Sequence, residues 1–394
     1  MPSESVRRPV SSDETTLSPA TLAETLRAGG RVRVLDARNR DEADRWPLGG
    51  GDVETTHLSY MRFVQAQARE EVGDLADEFD DGERVVVVCG RGESSATVAA
   101  ALREHGVDAV NLEDGMRGWA RVYHSEELDA DADGARVFQY QRPASGCLAY
   151  LVVSGDEAAV VDPLRLFADR YVEDARDRGA TLRYAIDTHV HADHVSGVRD
   201  VAERSDATVV VPEGAADRGL AFDAELVDDG DELRVGDATL EAMHVPGHTT
   251  EMTAYRVGDL LLGGDLLFTE GVARPDLERG DEGAEEMARQ LHRTLHERVL
   301  TLPDETVVAP GHYSDVAEPA EGGAYTATLG ELRSRLEALS TDESAFVDYA
   351  LSGMPPRPNN FEEIIEANLG RDAVDDEEAF ELELGPNNCA AAAD

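Results

Sequence analysis

The stretch Thr188-His189-Val190-His191-Ala192-Asp193-His194-Val195-Ser196-Gly197 decides how this chain is read. It places three histidines and one carboxylate within six consecutive positions. It follows a largely apolar run, Leu182 to Ile186, that reads as a buried strand. Imidazole and carboxylate together suit zinc, iron and similar ions. Around a turn, residues two apart can aim at one point, so this loop can hold a metal from one side only. The sequence offers further ligands elsewhere. His248 sits in His244-Val-Pro-Gly-His248, Asp265 ends Leu260-Leu-Leu-Gly-Gly-Asp265, and His312 ends Val307-Val-Ala-Pro-Gly-His312. Each lies at the end of an apolar run, where strand-to-loop turns collect in a layered α/β domain. A lone histidine is more often structural than a ligand. Here five of the 11 histidines fall at three such strand ends, beside Asp193 and Asp265, and as a set they point to a metal site.

A length of 394 residues implies two to three domains, each able to bury a core. Arg and Lys number 36 and Asp and Glu 82, so the net charge is 36 − 82 = −46, and no Lys occurs. Nucleic acid and anionic membranes are poor partners for such a surface. The 41% hydrophobic content and clear periodic segments argue for a folded protein with an acidic coat rather than for disorder. A saline cytoplasm, where salt screens the self-repulsion, is the expected setting. Cys89, Cys147 and Cys389 are odd in number and far apart, which fits a reducing cytosol rather than a disulfide framework. No apolar run approaches a membrane span, and Met1 to Ser18 lacks a signal-peptide core, so a soluble cytoplasmic protein is expected.

Residues 1–16 read as a loose, polar N-terminus. Ser18 can cap a helix that opens with Pro19. Arg31 to Asp36 alternates like a strand, and Arg84-Val-Val-Val-Val-Cys89 is a second, stronger one. It runs into Gly90-Arg91-Gly92-Glu93-Ser94-Ser95 and then a helical segment, Ala96 to His105. A cysteine at a strand's end, before a Gly-containing loop that opens a helix, faces backbone N–H groups and the positive helix end. Both favour negative charge on sulfur, so Cys89 reads as reactive rather than as core filler.

Leu35-Asp36-Ala-Arg38, the Cys89 loop and Asn111-Leu-Glu-Asp-Gly115-Met-Arg-Gly-Trp119 together resemble a rhodanese-like domain over residues 17–123. The resemblance implies a sulfurtransferase in which Cys89 carries a persulfide. Such loops often hold Arg at the sixth position from the Cys, where this chain has Ser94, with Glu93 beside it. The departure implies weaker binding of an anionic donor such as thiosulfate, with Arg91 as the nearby substrate-binding cation. Residues 124–135 are acidic and non-periodic and read as a linker.

From Arg136 strands arrive in quick succession: Val137–Gln141, Cys147–Val153, Ala158–Asp162, Leu182–Ile186, Thr208–Val211, Glu232–Val235, Thr239–Val245, Thr253–Val257, Leu260–Gly263 and Thr306–Ala309. Helices are expected over Leu166–Arg178 and Gly283–Leu300, then Tyr325–Leu339, Ser344–Leu351 and Asn360–Leu369. The last three are expected to pack the domain or a second copy in a homo-oligomer. Two sheets face to face with helices outside follow from this order. Cys147 reads as core, and Cys389 either as a thiol near the site or as a bystander.

This order, with His189-Val-His191-Ala-Asp193-His194 and the later His248, Asp265 and His312, resembles the metallo-β-lactamase fold over roughly 136–315, with a C-terminal helical extension to 394. The expected class is thus α/β: an N-terminal rhodanese-like domain and a C-terminal metallo-β-lactamase αββα sandwich. Asp265-Leu-Leu-Phe268 … Arg274-Pro-Asp276-Leu, Met354-Pro-Pro-Arg-Pro-Asn-Asn-Phe361 and Gly385-Pro-Asn-Asn-Cys389 resemble persulfide dioxygenases and their rhodanese-fused relatives. That resemblance implies one Fe(II) on His189, His248 and Asp265, with His191, Asp193, His194 and His312 around it. It implies a small thiol persulfide and O2 as substrates, giving sulfite and thiol. Arg274 is the expected holder of the carrier's carboxylate, since a guanidinium forks onto a carboxylate, with an ion pair to Asp276 or another surface acid as the alternative. All the residues of a two-metal site are also present, so a two-zinc thioester hydrolase of the glyoxalase-II kind is the first alternative. A non-enzymatic sulfur carrier or sensor acting through Cys89 is the second.

Overall fold

The computed structural model describes residues 15–79, 82–352 and 354–391. The chain divides into two compact units, Met1–Val122 and Tyr123–Asp394.

The first unit is built on a five-stranded parallel sheet in the order Thr16–Leu17, Ala109–Leu112, Val85–Val88, Val32–Asp36, Val53–His57. Four consecutive valines form the middle strand, and all four are buried, as a parallel strand covered on both faces requires. The first helix, Pro19–Arg27, starts where Ser18 accepts the Thr21 amide at 3.2 Å, with Pro19 in its first turn. The expected loose N-terminus does not extend to residue 16. Thr16–Leu17 is an edge strand on Asn111–Leu112, and residues 1–14 lie outside the described residues. The helix after Cys89 runs over Glu93–Glu104, three residues earlier than its expected start.

The second unit stacks two sheets. One has seven strands in the order Glu225–Val227, Thr208–Pro212, Thr181–Ile186, Glu157–Val161, Cys147–Ser154, Arg136–Arg142, His124–Glu127. The other has six: Glu232–Val235, Ala238–His244, Thr253–Val257, Leu260–Gly264, Val307–Pro310, Ala327–Thr328. Alternation along the strands sorts their side chains between layers. Leu148, Tyr150 and Val152 meet Leu240, Leu260 and Leu262 in the core between the sheets. One residue along, Leu151 and Val153 face outward onto Tyr171, Val172 and Val201. On the other side Leu261 faces Leu291 and Leu295. Helices Ala168–Asp177 and Val198–Ser205 cover the first sheet, and Gly280–Thr294 covers the second. The result is the expected αββα sandwich.

Two expectations need correction. The acidic segment 124–135 is not a spacer. His124–Glu127 forms an edge strand paired antiparallel with Phe138–Gln141, the Asp131 carbonyl accepts the Asp259 amide at 2.8 Å, and Ala132 is buried. An edge strand needs no apolar face, so its composition hid it. Nor is Tyr325–Leu339 one helix. Ala327–Thr328 pairs with Val307–Val308. Thr328 and Glu331 then form a capping box that starts the helix at Leu329, and it ends at Arg335. Helices Glu343–Ser352 and Phe361–Asn368 fall where expected. Asp376–Leu382 adds one that the sequence reading lacked.

Candidate metal centre

The histidine loop follows strand Thr181–Ile186 and has no regular structure of its own, yet Thr188 to Ser196 is buried. Its backbone groups must therefore find partners among side chains. Thr188 N donates to Asp162 Oδ1 at 2.7 Å and Val190 N to Glu251 Oε1 at 2.9 Å. Val195 N donates to Glu383 Oε1 at 3.0 Å and Ser196 N to Asn368 Oδ1 at 2.8 Å. The Asn368 amide also donates to the carbonyls of His191 and His194, at 3.0 and 2.8 Å. Glu383 is itself fixed by a buried ion pair with Arg142 at 2.7 Å. The C-terminal helices thus do more than fill space: they hold the loop.

His189, His248 and Asp265 converge, with one ligand atom of each within 4.8 Å of the others, and all three are buried. Their hydrogen bonds fix which nitrogens are free. The Thr188 hydroxyl donates to Asp162 Oδ2 at 3.0 Å, so it accepts from His189 Nδ1 at 2.9 Å. That leaves the His189 Nε2 lone pair unused, and this atom is buried without a partner. His248 Nδ1 donates to the Arg274 carbonyl at 2.8 Å. Its Nε2 then lies 3.6 Å from Asp265 Oδ2, and His189 Nε2 lies 3.9 Å from the same oxygen. Asp265 Oδ2 is likewise buried and unpartnered. Burial, and then the charge of His191, push His189 well below its ordinary pKa, so it stays neutral and ready to ligate. Buried acceptors left without donors at a common point fit a cation.

Two glycines make room for this. Gly264 has φ of +50°, and a Cβ there would meet Thr188 Oγ1 at 2.5 Å. A Cβ on Gly311 would meet Asp265 Oδ1 at 2.5 Å.

Of the remaining sequence-predicted residues, Asp193, His194 and His312 face one another instead. His312 Nδ1 lies 2.5 Å from Asp265 Oδ1, and its Nε2 lies 2.7 Å from Asp193 Oδ2. Both ring nitrogens donate, so the ring is an imidazolium with no lone pair to offer. Burial opposes that charge, but Asp193 and Asp265 outweigh it and hold His312 well above its ordinary pKa. His194 Nδ1 is 3.2 Å from the same Asp193 oxygen. Burial and His191 work against its charge, yet Asp193 raises it to about 9. His191 Nε2 turns away to Asp162 at 3.1 Å and Asp187 at 3.6 Å. Cys147, expected as plain core, has its thiol 3.2 Å from Asp193 Oδ2 and groups with Asp193, His194 and His312.

In the first unit Cys89 is buried at the end of its strand. Three donors aim at its sulfur: Gly92 N at 3.1 Å, Ser95 N at 3.4 Å and Ser95 Oγ at 3.1 Å. The loop is an anion-accepting cradle, as its position before a helix implies. Arg91 is exposed, as is Glu93.

Residues 142–312 match the metallo-beta-lactamase superfamily, and residues 18–122 match the rhodanese-like domain. A hydroxyacylglutathione hydrolase of Parasynechococcus marenigrum is 30% identical over 251 residues, 62% of this chain and 94% of that one. The chain belongs to the metallo-beta-lactamase superfamily. This metallo-beta-lactamase relative carries a rhodanese domain and is homologous to persulfide dioxygenases. The human mitochondrial persulfide dioxygenase ETHE1 is 28% identical over 259 residues, 63% of this chain and 94% of that protein. The crystal structure of ETHE1 from Myxococcus xanthus aligns with a TM-score of 0.52 at 29% identity, covering 59% of this chain and 96% of that one.

In this metallo-beta-lactamase domain Arg274 does not face a substrate space. Its Nε donates to Asp276 Oδ1 at 2.7 Å and its Nη2 to Asp276 Oδ2 at 3.1 Å. Its Nη1 donates to the carbonyls of Pro356 and Asn388 at 3.0 and 2.8 Å. The role expected for it, gripping a carrier's carboxylate, is corrected: all three nitrogens are engaged within the fold. Arg274 instead orients His248 through its carbonyl and anchors the C-terminal tail. That tail brings in Cys389, which is buried and groups with Asp265 and His312 within 4.8 Å. Burial, and then Asp265 and Asp193, push the Cys389 thiol well above its ordinary pKa; a bound cation offsets such carboxylate charge. Asp162, Asn368 and Glu383 were not singled out in the sequence. Only Asp162 carried a local signal, as the acid that ends a valine-rich strand like Asp265 does.

Proposed function

We propose that this protein is an iron-dependent persulfide dioxygenase with a sulfur-transfer domain acting through Cys89. Its overall reaction is R–S–SH + O2 + H2O → R–SH + SO3²⁻ + 2H⁺, where R–SH is a small thiol. One observation carries the reading. The unpartnered acceptors His189 Nε2 and Asp265 Oδ2 meet beside His248, while the residues that would hold a second ion are tied to each other around His312. A mononuclear site fits that division better than a binuclear one. His189, His248 and Asp265 would hold the iron, and redox chemistry with O2 is what the ion would supply. The chain does the rest. Thr188 and the Arg274 carbonyl fix the two imidazole tautomers. Asp193 and Asp265 keep a proton on each His312 nitrogen. The burial of every ligand excludes bulk water. Relatives named persulfide dioxygenases support the assignment.

A two-metal thioester hydrolase is the second reading. Cys147, Asp193, His194 and His312 still lie within 4.8 Å of one another, and hydroxyacylglutathione hydrolases are among the relatives. Anaerobic metal analysis of the whole chain, paired with oxygen uptake on a persulfide, separates the two. One iron per chain with uptake is expected. Two zincs per chain with thioester hydrolysis and no uptake would sink the oxygenase reading.

The acidic coat and three free, buried cysteines suit a reducing, salt-rich cytoplasm. No helix among the described residues is long and apolar enough to cross a membrane.

A further inference from the structure

We propose that Cys389 is a sulfur-accepting site: the outer sulfur of an incoming small-thiol persulfide is transferred to Cys389 before it is oxidised. This deepens the proposed function and rests on it. The protein's own cysteine then becomes the carrier that presents sulfur to the metal centre.

Three observations converge. The first is position. Cys389 Sγ, a carboxylate oxygen of Asp265 and a ring nitrogen of His312 lie within 4.8 Å of one another, all buried. Asp265 is shared with the His189 and His248 group, and its Oδ2 is buried with no partner. The thiol therefore stands beside the carboxylate that also belongs to the His189 and His248 group. The second is delivery. The tail is held on both sides of Cys389. Asn387 N donates to the Ser145 carbonyl at 3.1 Å, and the Asn387 side-chain amide donates there too, at 2.5 Å. Asn387 Oδ1 accepts the Cys389 amide at 2.9 Å. Arg274 N donates to the Cys389 carbonyl at 3.0 Å, and Ala390–Ala391 pairs with Val272–Ala273. The third is the use made of Arg274. This buried guanidinium is bound to Asp276 and to the Asn388 carbonyl. The site invests in holding its own thiol rather than a carrier's carboxylate.

The transfer balances without a further reactant. The Cys389 sulfur attacks the outer sulfur of R–S–SH. The carrier's S–S bond breaks, a new S–S bond forms, and the carrier leaves as R–SH with the proton from Cys389. The product, Cys389–S–SH, is at the same oxidation level as the donor. Its outer sulfur is carried on a side chain whose Sγ lies within 4.8 Å of ligand atoms of Asp265 and His312. Access requires the tail end to lift, and the described hold beyond Cys389 is a two-residue strand pair, the kind of contact that opens at low cost.

The test uses the iron-loaded full chain, mixed without oxygen with glutathione persulfide, alkylated, digested and analysed by mass spectrometry. The peptide carrying Cys389 should gain one sulfur atom that a reductant removes. Admitting oxygen should clear it as sulfite appears. Cys389→Ser should gain nothing there, and its oxygen uptake should fall about tenfold or more. A wild-type Cys389 peptide that stays unmodified while oxygen uptake proceeds overturns the proposal, whatever the variant does. Sulfur gained without any uptake supports the acceptor and removes the oxygenase reading instead. A cobalt-loaded chain provides the last check. A thiolate-to-metal band that disappears in Cys389→Ser makes Cys389 a ligand and overturns its role as acceptor.

Discussion

His312 bridges Asp265 and Asp193, 2.5 Å from one carboxylate and 2.7 Å from the other. A ring that donates from both nitrogens ties the metal-facing acid to the acid behind it. It also separates two groups of residues that a bare motif would count together.

That separation predicts unequal effects on metal binding. His189→Ala and His248→Ala each remove a ligand and should leave the chain with little iron after desalting. His194→Ala removes a neighbour of Asp193 and should weaken affinity by about 10–100-fold at most. Metal analysis after dialysis against a graded chelator measures both. Equal losses in all three variants would contradict the single-ion arrangement.

Gly311→Ala should damage the site from behind. The added Cβ would sit 2.5 Å from Asp265 Oδ1, so the carboxylate or the strand end must shift. A loss of about 1–3 kcal/mol is expected, together with reduced iron occupancy. Thermal unfolding with metal analysis reads the two effects; unchanged values for both would show that the space is slack.

Glu383→Ala removes an ion-pair partner from Arg142, and both groups are about 1% exposed. Breaking a buried ion pair by deleting one side costs about 3–5 kcal/mol. The same change frees the Val195 amide in the histidine loop. Denaturant unfolding should show the lost stability. A cost under about 1 kcal/mol would mean that water reaches Arg142.

Cys89→Ser should abolish sulfur transfer and leave oxygen uptake on a persulfide intact. Ser95→Ala removes one of three donors to the sulfur and should slow transfer by about tenfold. If transfer and uptake fall together in Cys89→Ser, the two domains do not work independently.

A net charge of −46 repels itself, and salt shortens the range of that repulsion from about 10 Å at 0.1 M to about 3 Å at 1 M. The melting temperature should therefore rise with KCl across that range. A fall would show that specific ion pairs outweigh the acidic coat.

The metal loop was legible because its chemistry is local. Thr188 to Gly197 carries its own ligand types and spacing, and each other ligand ends a recognisable strand. Arg274 was misread although Asp276, two residues on, takes its Nε and Nη2; the carbonyls that fill its Nη1, those of Pro356 and Asn388, lie 82 and 114 residues away. Nothing nearby shows that they occupy its donors. Cys147 looked like filler because a strand's first residue gives no hint of what its side chain meets. The strand His124–Glu127 was hidden by its acids, since an edge exposed to water has no apolar face to display. The over-long helix at Tyr325–Leu339 arose because amphipathic spacing continues through residues that a neighbouring strand captures. Its true start was signalled by Thr328 and Glu331, a pair with stronger local physics than the periodicity around it.

The hydrogen bonds from Asn368 and Glu383 to the histidine loop span 172 to 188 residues. During synthesis the ribosome makes the histidines long before the groups that steady them. Contacts of such separation are costly to close and form late. A metal ion offered to a growing chain meets a loose loop, so the centre matures only after those distant helices have been translated and have docked.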